Sequence, residues 1–136
     1  VVVNVAILAS QLMDNESFEP MHGSAYDAPQ PAADTTVAGG TLHVGPVEKC
    51  NGSSDNVISV GMLSWRRVSP TVQFVPGGSF AVVREPGCAT IEFDNRVPAE
   101  LSPGVWELHG DEQAIGPNNE VQRLGWRTEP FEVAGG

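Results

Sequence analysis

Apolar and polar positions alternate along most of the chain in short runs broken by Gly, Pro, Asn and Ser. Thr41-Leu42-His43-Val44 alternates behind the turn signal Gly39-Gly40. Residues 57–68 form a longer apolar run that carries Trp65 and ends at Arg66-Arg67, before Ser69-Pro70 breaks it. Residues 71–75 place Val72 and Phe74 on one face, Pro76-Gly77-Gly78 reads as a turn, and residues 79–83 place Phe80 and Val82 together. After Arg84-Glu85-Pro86-Gly87, residues Ala89, Ile91 and Phe93 alternate with Thr90, Glu92 and Asp94, the signature of a half-buried strand. A crossing loop over 94–104 ends in Pro103-Gly104, and residues 105–109 resume with Trp106 and Leu108 inward. Residues 110–119 read as an acidic, Gly/Pro/Asn-rich hairpin loop; residues 121–126 and 131–133 finish the pattern. Seven or eight short strands over about a hundred residues, with turn signals every eight to twelve, predict an antiparallel β-sandwich over residues 37–134. Its expected core is Trp65, Phe93, Trp106 and Phe131.

Two different segments precede that domain. Residues 1–13 are strongly apolar but fall short of the roughly 20 residues a membrane-spanning helix needs. The chain then turns at once to Asp14-Asn15-Glu16-Ser17-Phe18-Glu19-Pro20, an apolar-to-acidic border without Lys or Arg. Basic residues collect on the cytoplasmic side of membranes, so an acidic flank suits the outer face. The run therefore reads as the end of a membrane anchor, against an ordinary buried strand or helix. Residues 14–36 read as an extended acidic arm, broken by Pro20, Pro29 and Pro31. An arm of that length is expected to lie against its own domain or a partner chain. Phe18, Met21 and Tyr26 are its large apolar side chains and are expected to be its partner contacts.

Charge narrows the partners. The net charge is −10, which excludes binding to a row of phosphates and disfavours adsorption to anionic lipid. Residues 1–36 hold five acids and no Lys or Arg, while the remaining residues hold twelve acids and all seven basic groups. A solvated acidic surface accounts for most of this. Arg66-Arg67 stands out against it, either as a contact for an acidic partner or as a strand-end pair bonded to Glu85 or Asp94.

The two cysteines, Cys50 and Cys88, bracket Trp65. Such a pair is the kind that pins two sheets together. Both sit beside turn residues, however, so a bond between them would tie loop ends; two buried thiols are the other reading. No redox or zinc spacing occurs. The segments Pro86-Gly87-Cys88-Ala89-Thr90-Ile91-Glu92-Phe93, Leu101-Ser102-Pro103-Gly104-Val105-Trp106-Glu107-Leu108 and Trp126-Arg127-Thr128-Glu129-Pro130-Phe131-Glu132-Val133 resemble small immunoglobulin-like sandwiches. The chain departs from antibody-type domains at Pro86, where their pattern has a tyrosine. It is also similar to extracytoplasmic domains of single-span bacterial and phage membrane proteins.

Candidate chemistry is sparse. His22, His43 and His109 lie in separate segments without metal-ligand spacing, and His109 beside Asp111 and Glu112 reads as a solvated strand end. No Gly-x-Ser-x-Gly elbow occurs, and Glu92 with Glu107 reads as polar-face strand residues rather than a glycosidase couple. Loops at 94–95, 111–112 and 118–120 offer calcium-type oxygens without EF-hand spacing. The expectation is a non-catalytic protein with no cofactor, no metal and no nucleic-acid partner. It would be an accessory subunit in the periplasm, anchored through residues 1–13 and docked by arm and sandwich on protein subunits of a membrane complex. The alternative is a ligand- or glycan-binding surface module, which exposed tryptophans would favour.

Overall fold

A computed structural model describes residues 17–135. The apolar run at 1–13, with the anchor expected there, lies outside the described residues. No helix among the described residues is long and apolar enough to cross a membrane.

Nine strands and one helical turn make up the described chain. They are β1 (Met21–His22), α1 (Ser24–Asp27), β2 (Thr35–Val37), β3 (Thr41–Asn51), β4 (Val57–Ser69), β5 (Gln73–Arg84), β6 (Gly87–Arg96), β7 (Gly104–Ile115), β8 (Val121–Arg127) and β9 (Phe131–Ala134). They form two sheets. The smaller runs β1-β3-β6, all antiparallel. The larger runs β2-β9-β7-β4-β5, with β8 beside β9 on the same flank of β7 and only β2–β9 parallel.

The period-2 pattern sets which side chains meet between the sheets. Leu42 and Val44 of β3 face Trp65 of β4, Trp106 and Leu108 of β7, Trp126 of β8 and Phe131 and Val133 of β9 in one buried cluster. Val97 and Leu101 of the crossing loop close it from the side. Trp65 and Phe131 meet edge to face with centroids 6.0 Å apart. Of the four expected core residues, Trp65, Trp106 and Phe131 are buried, whereas Phe93 is half-buried on the edge strand β6, against Trp126.

Several boundaries differ from the sequence expectation. Pro76-Gly77-Gly78 is not a turn: β5 runs through it, and the extra residue is absorbed as a bulge opposite Leu63 and Ser64. The expected loop over 110–119 is strand as far as Ile115, and a turn occupies 117–119. Gly110 serves packing there, since a Cβ on it would overlap the Trp126 indole. The arm is part of the domain rather than a separate segment. Its residues supply β1 at the edge of the small sheet and β2 at the edge of the large one, so the boundary at residue 37 falls inside the fold.

The cysteines are bonded to each other. They do not join the two sheets: Cys50 and Cys88 are direct cross-strand partners in β3 and β6, with Cα atoms 4.0 Å apart. Alternation puts Lys49 between the sheets, and therefore Cys50 on the outer face. The bond spans 38 residues of sequence, and closing such a loop removes about 4 kcal/mol of unfolded-chain freedom on the chain-entropy model.

Candidate functional site

One end of the interior is charged. After a bulge between Val44 and Val47, alternation carries β3 inward at Val47 and Lys49. Alternation along β7 carries Trp106, Leu108, Gly110, Glu112 and Ala114 inward. Lys49 and Glu112 thus meet between the sheets, Nζ to Oε1 3.4 Å, with side-chain exposures of 6% and 0%. The Tyr26 hydroxyl, on α1, donates to the other carboxylate oxygen at 2.9 Å. The ammonium also lies over the rings of Tyr26 (5.4 Å) and Trp126 (5.7 Å). Two charges withdrawn from water need this density of partners, because their mutual attraction alone does not offset desolvation. Burial pushes the Lys49 pKa down, opposed by the Glu112 charge and assisted by Arg84. Burial pushes the Tyr26 pKa far up, and the neighbouring Glu112 charge adds to it.

Arg84 borders this group. It ends β5 and pairs in register with the fully buried Val57, which points it between the sheets. Its Nε is buried without a hydrogen-bond partner, as are Ser59 Oγ and Trp126 Nε1. The opposing wall is thin, because the β6 neighbours of Lys49 and Asn51 are Ala89 and Gly87. A cleft of about 340 Å³ results, with Met21, Lys49, Arg84, Ala89 and Ile91 in its lining. It lies between β5 and β6, the edge strands of the two sheets, next to the turn that joins them.

A second feature lies on the outer face of the large sheet. Ile58, Val60 and Met62 of β4 stand beside Val83, Ala81 and Ser79 of β5 in register. Met62 is 65% exposed, Val83 59% and Ile58 49%. Further along the hairpin Phe74 is also exposed, under the guanidinium of Arg66.

The sequence-predicted residues fall in scattered places. Phe18, Met21 and Tyr26, expected as partner contacts, are instead internal contacts of this chain. Met21 is buried beside Val57 and Ala114, Phe18 and Tyr26 pack against that cluster, and the glutamine Gln122 clamps both backbone polar groups of Met21. The physical reason is that β3 offers an unpaired edge to residues 21–22, and the interior end beyond Ala114 lacks large apolar side chains of its own. The three histidines do not converge. His43 sits on the outer face of the small sheet, between Asp94 (2.8 Å) and Glu92 (3.4 Å), and its pKa is raised, chiefly by the Asp94 hydrogen bond. His109 is not a solvated strand end: it is partly buried and 2.9 Å from Glu107. Arg66 lies 3.9 Å from Asp111, and Arg67 bonds the Pro103 carbonyl, so neither meets Glu85 or Asp94. All three tryptophans are buried and offer no stacking platform. Among the described residues, Glu48, Cys50 and Cys88 form the one trio of metal-type side chains within reach of each other, and both sulfurs are already bonded. Sequence reasoning missed Lys49, Arg84 and the burial of Glu112. Plain alternation from Leu42 and Val44 puts Lys49 outward, and the bulge between Val44 and Val47 is what turns it inward.

No protein-family model matches the chain, and no curated protein matches it in sequence. Solved structures do. The chain is similar to the Pseudomonas fluorescens alkylpurine DNA glycosylase AlkC, with a TM-score of 0.50 and 11% identity over 85% of this chain; it spans 31% of that one. It is also similar to the ASH/PapD-like domain 7 of human CEP192, with a TM-score of 0.50 and 10% identity, over 90% of this chain and 95% of that one. At such identities the likeness is one of fold: an all-β sandwich of the immunoglobulin-like class. The disulfide points to an oxidising, extracytoplasmic environment.

Proposed function

We propose that this chain is a non-catalytic accessory module that binds another protein subunit through the outer face of the β4–β5 hairpin. One observation carries the reading: three neighbouring apolar side chains, Ile58, Met62 and Val83, stand exposed on one sheet face of a chain with net charge −10. Contiguous exposed apolar surface on a soluble domain is a mark of protein contact. From Gly78 to Val83 the β5 edge beside it carries no charged side chain and no proline, the guards that free edges ordinarily bear; the bulge and Pro76 lie farther along the strand. An apolar strand of a partner can pair with this edge while its neighbours cover the face. The partner belongs to a membrane-bound assembly on the extracytoplasmic, periplasmic side, and residues 1–13 hold the module there. That part rests on the apolar run and its acidic flank. It fits the resemblance to extracytoplasmic domains of single-span bacterial and phage proteins.

Truncation of residues 1–36 cannot test this, because Met21 and Tyr26 belong to the core. The test is co-fractionation of the tagged chain in its native host, with Met62→Glu and Val83→Glu combined. Wild type is expected to sediment in an assembly far larger than the 14.4 kDa chain. The double variant is expected to run free with an unchanged thermal midpoint. If the double variant stays in the assembly, the reading fails.

A further inference from the structure

We propose that the cleft between the β5 and β6 edges binds a small monocarboxylate carried on an apolar tail, with Arg84 as the counter-charge of the carboxylate. The docking face lies on the opposite side of the large sheet, and Val83 at the sheet edge borders both, so the cleft is tested with Val83 left in place.

The argument begins with charge. Facing the interior at this end are two cations, Lys49 and Arg84, and one anion, Glu112. Glu112 is committed to Lys49 and to the Tyr26 hydroxyl. Arg84 makes no ion pair among the described residues, and its Nε is buried without a hydrogen-bond partner. With Nε closed off from the cleft, the two Nη nitrogens are the donors Arg84 has to offer, and a carboxylate fits such a pair with two parallel bonds. The backbone carbonyl of Arg84 is held by Asn51 at 2.9 Å, which fixes the strand end from which the side chain projects.

The walls select the rest of the ligand. Met21, Ala89 and Ile91 are apolar, and a volume of about 340 Å³ lies in the usual range for a small-molecule site. Ala89 and Gly87 keep the β6 wall low, so the cleft opens to solvent between two free edges. Glu85 is the one acid of the lining and sits at the β5–β6 turn. Its charge, with the −10 of the whole chain, works against a dianion such as phosphate and leaves a monoanion the better match.

Isothermal titration of the full chain with octanoate, octanol, acetate and inorganic phosphate tests this. Saturable binding of octanoate is expected, with octanol and acetate each weaker by about tenfold or more, since a charge-assisted pair and a buried tail both contribute. Arg84→Gln should weaken octanoate by about tenfold or more. Ala89→Leu, which fills the cleft from an exposed position and leaves Arg84 in place, should abolish binding without lowering the thermal midpoint. The proposal is overturned by any of four results: no saturable octanoate binding, octanol binding as well as octanoate, phosphate binding more tightly, or undiminished octanoate binding in Ala89→Leu.

Discussion

At one end of the sandwich, Trp65, Trp106, Leu108 and Phe131 fill the space between the sheets with hydrocarbon, and the Trp106 indole N–H reaches the Ser102 carbonyl at 2.8 Å. At the other end the same two layers are bridged by Lys49, Glu112 and Tyr26, with Arg84 alongside. The strands are the same: β3 contributes Leu42 and Val44 to the first end and Lys49 to the second, while β7 contributes Trp106 and Leu108, then Glu112. The difference lies in cover. The first end is closed by β9 and the crossing loop, with Trp126 of β8 reaching into it, so it holds together by apolar packing alone. The second is flanked by β8, by the short β1 and by two free edges, and its stability depends on Lys49, Glu112 and Tyr26 keeping one another as partners.

Removal of one partner should separate the two ends most sharply. Glu112→Ala leaves Lys49 buried and unpaired and is expected to cost about 4 kcal/mol. Replacing both, Lys49→Met with Glu112→Leu, should restore most of that loss. Leu108→Ala, in the hydrocarbon end, should cost about 3 kcal/mol with no comparable rescue by a change at a second site. Urea unfolding of the four proteins measures this. A double variant no more stable than Glu112→Ala would remove the distinction.

A smaller effect is expected at alkaline pH. Tyr26 is the sole tyrosine of the chain, so tyrosinate absorbance reports it alone. Its folded-state pKa is raised above the ordinary 10.0 by burial and by Glu112. Stability from this group is therefore fully present below pH 10.0 and falls as pH rises further, because only the unfolded chain ionises. The absorbance should rise together with loss of the fold, not before it, and Tyr26→Phe should flatten the alkaline decline. Ionisation in the intact fold near the ordinary value would show that the site is wet.

The smallest effect is on the polar outer face of the small sheet. His43 is exposed, and its pKa is raised above 6.5, first by the Asp94 hydrogen bond. Its small stabilisation is present below pH 6.5 and is lost as pH rises through the folded value. Titration by NMR should place the midpoint above 6.5, and Asp94→Asn should bring it down. No shift on that substitution would assign the effect elsewhere.

Much of the hydrocarbon end was legible in the sequence, because period-2 patterning marks Leu42, Val44, Trp106, Leu108 and Phe131 directly. The charged end was not. Glu112 lies in a stretch of Gly, Asp, Pro and Asn whose composition reads as a loop, and its partner Lys49 is 63 residues away. No local rule pairs two such residues; only the stacking of β3 over β7 does. Pro76-Gly77-Gly78 misleads for a related reason: a bulge and a turn use the same residues, and the distinction rests on whether the partner strand β4 continues alongside. The disulfide shows the same limit, since the pairing of Cys50 with Cys88 depends on β3 and β6 being neighbours.

The parallel pairing of β2 with β9 has a consequence for synthesis on the ribosome. Residues 35–37 leave the ribosome long before their hydrogen-bonding partners at 132–134. The edge of the large sheet therefore stays open until nearly the whole domain has left the exit tunnel. While it waits, the nascent arm exposes Met21 and Tyr26, whose places in the core depend on β7 and β8, so a chaperone that holds apolar segments would find its substrate around residues 21–26.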